Sequence, residues 1–565
     1  MNHRVRLLIF SATLIPAVAA AAPTKTLTVI EHVIVVVAEN RTFDNLFATY
    51  QPTKGQTIDN LLSKGIVRKN GQPGPNFHLA AQRMAQNFGD YMPTPKIVGQ
   101  YDTLPQPYAC GALGQRRDVP DARFPAGLPN GPFQITDFVG YGAHTGDPVH
   151  RFFQMWQQVN GGNKDLFVWT AETVGAGRSN VPAVLNNKTC QGSVAMGFYN
   201  MASGDAPYLR QMADEFAIAD NYHQSVMGGT TANYLALTTG DVAFYTREGK
   251  PARPSVKLIE NPDAEPGSNN WYIEDGYKGG SYVNCANPEN PGVKAIKDYL
   301  KKLPYPAFRD GNCAPDTYYM VNNMEPSYSP QGELLAPGED KLPPQTIPTL
   351  ADALSAHGVS WRWYSGGRND GKTVDKEYCA MCDTLLYFSS VMEGKDKSKL
   401  SDLQQFYVDA GLRESEFPAV SIIAPYDSVS GHPGYAMEPG FDELLRGIVD
   451  KVKKNKALWK KTAIIVTYDE GGGYYDSGYI QPVDFFGDGP RVPLLFISPH
   501  ARKGFVDHTY YDHASILKFI EHNWGMPPIS FRSRDNLPNP QHDKSSVYEP
   551  KNRPAIGDLM NLIRN

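Results

Sequence analysis

The chain has 565 residues, of which 41% are hydrophobic and 20% are charged. This balance is typical of a globular protein that buries a large core, and it excludes a disordered chain. The 54 Lys and Arg residues against 59 Asp and Glu residues give a formal net charge of −5. A nucleic-acid-binding protein normally carries a basic excess, so we expect no nucleic-acid partner.

Residues 1–22 have the pattern of a secretory signal peptide. Arg4 and Arg6 precede an apolar stretch over 7–20, and the alanines near its end offer small-residue cleavage sites. The alternative is a membrane anchor, but the stretch is short for a span and is interrupted by Pro16. We therefore expect a periplasmic or secreted protein with no transmembrane segment in its mature form.

Six cysteines suit an exported chain with disulfides, although the sequence does not choose among their pairings. Cys379-Ala-Met-Cys382 is compatible with a redox pair, half of a zinc site or a structural bridge. Because no second such motif or nearby His pair completes a zinc site, we predict a structural bridge. The remaining cysteines are Cys110, Cys190, Cys285 and Cys313.

Continuous apolar runs predict strands that are buried on both faces of a sheet. Amphipathic helical segments lie between or beside them, and this alternation predicts an α/β fold with a mostly parallel central sheet and helices on both faces. The predicted strands are 32–38, 359–364, 417–424, 461–468 and 492–498, and the predicted helices are 208–216, 347–357, 441–452 and 513–524.

Two stretches rich in Gly and Pro, at about 50–135 and 241–345, are longer than ordinary connections. We interpret them as loop-rich insertions that form a cap over the sheet, rather than as separate domains. Residues 23–565 are therefore predicted to form a single α/β domain.

Acidic and amide side chains follow two of the predicted strands. Glu39-Asn40 comes after the first run, and Asp469-Glu470 comes after the run that ends at 468. Ligands bind at the carboxyl ends of such strands, and buried carboxylates need compensation that a hard cation supplies. Each acid alone is compatible with a solvated loop residue or a helix cap. Together they predict a metal site for a divalent or trivalent ion, with Mg²⁺, Ca²⁺, Mn²⁺ and iron favoured by oxygen ligands over Zn²⁺.

A second motif places hydroxyl groups after a Gly-Gly turn, at Gly228-Gly229-Thr230-Thr231. The start of a helix attracts phosphate, and a metal-bound hydroxyl there can attack phosphorus. The alternative is that Thr230 or Thr231 simply caps the helix.

Several histidines are candidates for protonating a leaving group or stabilising phosphoryl charge. These candidates are His144, His150, His432 and His513, whereas His500 and His508 are interpreted as ordinary surface or helix-end residues.

The run Glu39-Asn40-Arg41-Thr42-Phe43-Asp44 resembles the ENRSFD signature of the bacterial phosphoesterase family that holds phospholipases C and the acid phosphatase AcpA. The resemblance spans about residues 30–525 and implies a fold similar to that of the alkaline phosphatase superfamily. Further matches are His150 after Asp147-Pro148, Gly229-Thr230 with Asn233, His432-Pro433, Asp469-Glu470 with its glycines, and residues 512–517.

The resemblance also implies roles for particular residues. Thr230 matches the family's nucleophile and would contact the metal, and His513 matches a family motif. The implied ligands of a single metal ion are Glu39, Asn40, Asp469 and Glu470, and the implied lining of the phosphate site is His150, His432 and Asp241.

The run 469–476 is more similar to the acid phosphatase branch, because Gly471 and Ser477 stand where phospholipases C usually carry histidine and Asp-His. The leading hypothesis is thus an exported metal-dependent acid phosphatase that cleaves phosphomonoesters through a phospho-threonine intermediate. One alternative is a phospholipase C acting on phosphatidylcholine or sphingomyelin, with a phospholipid as partner. A third is a non-catalytic, secreted metal-binding protein.

Overall fold

The computed structural model describes residues 25–86, 90–107, 120–173, 192–263, 280–434, 438–542 and 546–564. The predicted signal peptide over 1–22 lies outside the described residues, as do Cys110 and Cys190. Within the described part of the chain, every helix is too short or too polar to cross a membrane.

An eight-stranded mixed sheet forms the centre of the fold. Its strands lie in the spatial order β4-β3-β5-β1-β6-β7-β2-β8, and β7 alone runs against its neighbours. In chain order the strands are β1 (His32–Ala38), β2 (Ala217–Ala219), β3 (Trp361–Ser365), β4 (Leu400–Asp402), β5 (Val420–Ala424), β6 (Thr462–Tyr468), β7 (Leu494–Ile497) and β8 (Phe505–Asp507).

The middle strands are held by burial. All seven residues of β1 and all seven of β6 are buried, as expected for strands covered on both faces. The two strands pair in parallel along their whole length, from His32 opposite Thr462 to Ala38 opposite Tyr468. Hydrophobic burial therefore fixes the register in which both strands end.

Ten α-helices of five or more residues are described. One packed group contains α5, α7 and α10, and α4 packs against α9. The helices are α1 (Phe43–Phe47), α2 (Phe152–Val159), α3 (Phe167–Thr173), α4 (Pro207–Glu215), α5 (Thr230–Thr239), α6 (Val293–Leu300), α7 (Leu350–Ala356), α8 (Leu403–Asp409), α9 (Glu438–Lys454) and α10 (Ala514–Trp524).

The predicted α/β class is confirmed, and each predicted strand and helix is present with somewhat different ends. The predicted mostly parallel sheet is also confirmed, and β7 is the one described strand of this sheet that is antiparallel to both neighbours. Its C-terminal end, with His500 beyond it, therefore lies at the edge opposite Glu39 and Asp469. Within the described residues, the stretches 50–135 and 241–345 add only two-stranded ribbons and short helices, and their role as a cap stays a prediction.

A buried ion network fixes the segment that follows β1. The Arg491 guanidinium contacts Asp44 of α1 at 3.2 Å and Asp476 at 2.9 Å, and all three side chains are almost completely buried. Arg491 also donates to the Asp220 carbonyl at 2.8 Å. These ion pairs therefore attach Asp44, the last residue of the signature-like run 39–44, to the loop after β6.

Arg491→Met should lower the free energy of unfolding by about 3–5 kcal/mol, because it leaves two buried carboxylates without the cation that contacts both. Chemical denaturation followed by circular dichroism measures the change. The matched control is Arg413→Met, which removes an exposed ion pair with Glu416 and should leave stability unchanged. Equal effects of the two substitutions would contradict the assignment.

Candidate functional site

The C-terminal ends of β1 and β6 bring the two predicted ligand pairs together. Since Ala38 lies opposite Tyr468, the residues after each strand leave the sheet side by side. The backbone N–H of Asn40 donates to Oδ1 of Asp469 at 3.1 Å, and the N–H of Glu470 donates to the same oxygen at 2.7 Å. Asp469 thus joins the two turns, and the side chains of all three residues are buried.

Asn40 is held in an uncommon conformation. Its φ of +63° lies in the left-handed region, which asparagine tolerates better than most residues. Its side-chain Nδ2 lies 2.9 Å from Nε2 of His432. Because an amide nitrogen can only donate, Nε2 accepts, and the neutral ring of His432 carries its proton on Nδ1. Burial lowers the pKa of His432 well below its ordinary value, so this neutral form is the stable one.

His150 reaches the same cluster through the glycine-rich turn after β6. A Cβ on Gly473 would lie 2.2 Å from the Val149 carbonyl oxygen, and the φ of Gly473 is +72°, so only glycine permits this approach. Nδ1 of His150 donates to the Pro148 carbonyl at 2.7 Å, and Nε2 lies 3.8 Å from Oε1 of Glu470. The rings of His150 and His432 are 6.4 Å apart.

Thr230 enters the cluster as the first residue of α5, where its hydroxyl is a neighbour of the Asp469 carboxylate and acts to lower the pKa of that acid. The preceding turn is packed too tightly for a side chain, since a Cβ on Gly229 would lie 2.4 Å from Oδ1 of Asn323. Asn233, one turn into the helix, accepts from the N–H of Val226 at 2.9 Å and donates to carbonyls of the turn. This side chain therefore holds the turn that positions Thr230.

These side chains fit a hard cation. Oδ1 of Asn40 is buried and has no hydrogen-bond partner among the described residues. Burial raises the pKa of Asp469 to about 7. Carboxylate, amide and hydroxyl oxygens are the donors that such ions bind. Asn40, Thr230, Asp469 and Glu470 therefore carry the kinds of donor atom that a hard cation binds.

Glu39 points to a different neighbour. Its Oε1 lies 2.8 Å from Sγ of Cys382, which is bonded to Cys379 in the disulfide that the sequence predicted as a bridge. The ligand atoms of Glu39 and the two cysteines lie within 4.8 Å of one another, so these residues form a second group of potential metal ligands. A second bridge joins Cys285 to Cys313.

The structure does not bring Asp241 to this cluster. It follows the C-terminal end of α5, a helix of about 15 Å, whose first residue is Thr230. There its carboxylate pairs with Arg532 at 2.9 Å, which explains the acid as an ion-pair partner at the far end of the helix.

His513 lies behind the cluster. Its Nε2 is 2.5 Å from the carbonyl oxygen of Asp469, and its Nδ1 is 2.8 Å from the Tyr222 hydroxyl. Burial lowers the pKa of His513 to about 4 and keeps the ring neutral. In this geometry His513 positions the backbone of Asp469.

The other three histidines considered in the sequence analysis make contacts outside this cluster. His500 lies 2.7 Å from the Lys460 carbonyl and His508 lies 2.8 Å from Asp220, while the carbonyl of His144 accepts from Arg123.

Two positioning residues were not predicted from the sequence. Arg41 donates to the Gly431 carbonyl at 3.1 Å and thereby holds the loop that carries His432. Oε1 of Gln224 accepts from the N–H of Gly471 at 2.8 Å. The position of Arg41 within the run 39–44 is the one sequence signal that could have indicated its role. No local pattern indicates the role of Gln224, because its contact joins segments 247 residues apart.

Comparison with known proteins shows what this chain is similar to. A sequence profile of the Phosphoesterase family matches residues 30–527. Phospholipase C B of Mycobacterium tuberculosis is 24% identical over 541 residues, covering 89% of this chain and 74% of its own. A probable acid phosphatase of Kluyveromyces lactis is 23% identical and covers 38% of this chain and 52% of its own. A solved protein of the alkaline phosphatase superfamily from Vibrio parahaemolyticus is 13% identical with a TM-score of 0.27, covering 58% and 63% of the two chains.

Addition of a hard divalent cation such as Mn²⁺ should raise the melting temperature of the metal-free protein. Saturation at about one hundred times Kd corresponds to about 2.7 kcal/mol of stabilisation. Asp469→Asn should abolish the shift, since it removes a charged ligand. Asp241→Asn changes a buried acid at the other end of the same helix and should retain it. A shift that survives Asp469→Asn would contradict the site.

Proposed function

Because this chain belongs to the Phosphoesterase family, and is thus a hydrolase of phosphoric esters, we propose that it is a metal-dependent acid phosphatase that cleaves phosphomonoesters through a phospho-threonine intermediate. The observation that carries the proposal is the position of the Thr230 hydroxyl, at the start of α5 and next to the Asp469 carboxylate. A helix N-terminus favours an anion, so a phosphate group would bind next to this hydroxyl.

Asn40, Asp469, Glu470 and the Thr230 hydroxyl would hold the metal ion, with Glu39 as a further ligand once its carboxylate turns from Cys382. A bound cation would neutralise phosphate charge and lower the pKa of the hydroxyl. The oxygen donors favour Mg²⁺, Ca²⁺, Mn²⁺ or iron over Zn²⁺.

The protein's own groups account for the proton transfers. Asp469 orients the Thr230 hydroxyl and accepts its proton as the oxygen attacks phosphorus. His150 donates a proton from Nε2 to the leaving oxygen, and Oε1 of Glu470 lies 3.8 Å from that nitrogen. The neutral ring then accepts a proton from the water that attacks the phospho-threonine, and Asp469 returns its proton to the Thr230 oxygen as the bond between that oxygen and phosphorus breaks.

A phospholipase C that cleaves phosphatidylcholine or sphingomyelin is the second candidate. It is supported by the relative named phospholipase C B, which aligns with 89% of this chain. The two candidates differ in product, since a phospholipase C releases phosphocholine from a lipid and a phosphatase releases inorganic phosphate from a monoester. A non-catalytic metal-binding protein would give neither product.

We also propose that residues 1–22 are a cleaved signal peptide and that the mature protein is periplasmic or secreted. The two disulfides support this compartment, because such bonds persist in oxidising environments. The stretches at about 50–135 and 241–345 are proposed to cover the phosphate site as a cap.

Thr230→Ala should lower turnover of p-nitrophenyl phosphate by more than about 10³-fold, because it removes the nucleophile. Phosphate release and acid-stable labelling by a ³²P monoester measure the loss. Thr230→Ser should retain both signals. Thr231→Ala is the matched control, since the Thr231 hydroxyl donates to the Met324 carbonyl instead. Undiminished labelling of Thr230→Ala would refute the nucleophile.

His150→Asn should slow the hydrolysis of alkyl phosphates by about 10²–10⁴-fold, the usual contribution of a general acid. p-Nitrophenyl phosphate has a good leaving group that needs little protonation, so its cleavage should fall much less. The ratio of kcat values for the two substrates measures this difference. Equal losses on both substrates would assign His150 a role other than leaving-group protonation.

A further inference from the structure

The disulfide beside the metal site is placed where reduction would change a ligand. Oε1 of Glu39 is 2.8 Å from Sγ of Cys382, and both side chains are buried. A disulfide sulfur carries no hydrogen, so this contact is not a hydrogen bond while the bridge is intact. A Cys382 thiol at the same position would donate to the carboxylate.

The segment that carries the two cysteines is anchored independently of the bridge. Asp383, next to Cys382, forms a buried ion pair with Arg368 and accepts from the Tyr378 hydroxyl at 2.6 Å. The N–H of Cys382 also lies 3.1 Å from Sγ of Cys379 and would remain as a donor to a metal-bound sulfur. These contacts keep both sulfurs near Glu39 after the bond between them is broken.

The two sulfurs differ in access. Cys379 is 9% exposed and Cys382 only 1%, so a small dithiol reaches Cys379 first. Attack of one reductant sulfur on Sγ of Cys379 breaks the S–S bond, and Sγ of Cys382 leaves and takes up a proton. The second reductant sulfur then displaces Cys379 as a thiol. The protein gains two thiols and the dithiol becomes a cyclic disulfide.

We propose that the reduced pair, together with Glu39, forms a binding site for a thiophilic divalent cation such as Zn²⁺ or Cd²⁺. Two thiolates and one carboxylate leave a fourth position for water, a ligand set that suits these ions better than a hard cation. Binding at this site holds the Glu39 carboxylate away from the oxygen ligands Asn40 and Asp469. The oxidation state of the bridge therefore determines whether Glu39 binds a hard cation with the oxygen ligands or a thiophilic cation with the two thiolates.

Metal capture is independent of the proposed phosphatase activity, and only its effect on turnover rests on that function. The test uses the full-length protein, oxidised or reduced with dithiothreitol and desalted without oxygen, and titrated with Cd²⁺. The readouts are the ultraviolet charge-transfer absorption of cadmium thiolate and the number of Cd²⁺ ions per chain. Circular dichroism follows the fold of each sample.

Reduced protein should bind one more Cd²⁺ than oxidised protein. The extra ion should be absent from the Cys379→Ser, Cys382→Ser double variant and bound at least tenfold more weakly by Glu39→Gln. The matched control is the Cys285→Ser, Cys313→Ser double variant, which lacks the other bridge and should retain the extra ion.

An equal Cd²⁺ count in both redox states would overturn the proposal. So would an extra ion that survives loss of Cys379 and Cys382, unchanged affinity in Glu39→Gln, or unfolding of the control variant on reduction. Zn²⁺ should inhibit phosphate release by the reduced protein far more than by the oxidised protein. Absence of turnover in both states would refute the phosphatase and leave the Cd²⁺ result to decide the site.

Discussion

The in-register pairing of β1 with β6 is the constraint on which the site depends. Both strands are buried over seven residues, and both end at the same level of the sheet. The polar residues that follow the two strands therefore lie side by side, at the end of a fully apolar part of the sheet. Their charges are desolvated together, which raises the pKa of Asp469 to about 7. Buried carboxylates of this kind remain charged only when a cation compensates them. The metal-binding chemistry that we propose for this edge of the sheet follows from that requirement.

Two buried arginines organise the surroundings of this edge. Arg41 connects the turn after β1 to the loop that carries His432, and Arg491 attaches α1 to the loop after β6. The signature-like run 39–44 therefore has both a chemical role at the site and a structural role around it. Its first two residues provide oxygen atoms, and Arg41 and Asp44 fix the segments that carry them.

The disulfide between Cys379 and Cys382 lies at the same edge of the sheet, and its oxidation state can change. Glu39 lies between an oxygen-rich group after β6 and a sulfur pair in the loop after β3. Oxygen and sulfur ligands prefer different metals, so the position of one carboxylate connects metal choice to the oxidation state of the cysteines.

The sequence by itself determined the α/β class, the buried strands and the polar residues at their ends, because continuous apolar runs and the residues that interrupt them are local properties of the chain. It also indicated Thr230, since a Gly-Gly turn before hydroxyl groups predicts a helix start. Only the tertiary structure decided the direction of β7, the pairing of Asp241 with Arg532 and the support that His513 gives to the Asp469 backbone. The approach of His150 through Gly473 and the contact of Glu39 with Cys382, 343 residues away, were likewise decided by the fold. Such contacts join distant segments, and they depend on how whole layers pack rather than on the local pattern that a sequence displays.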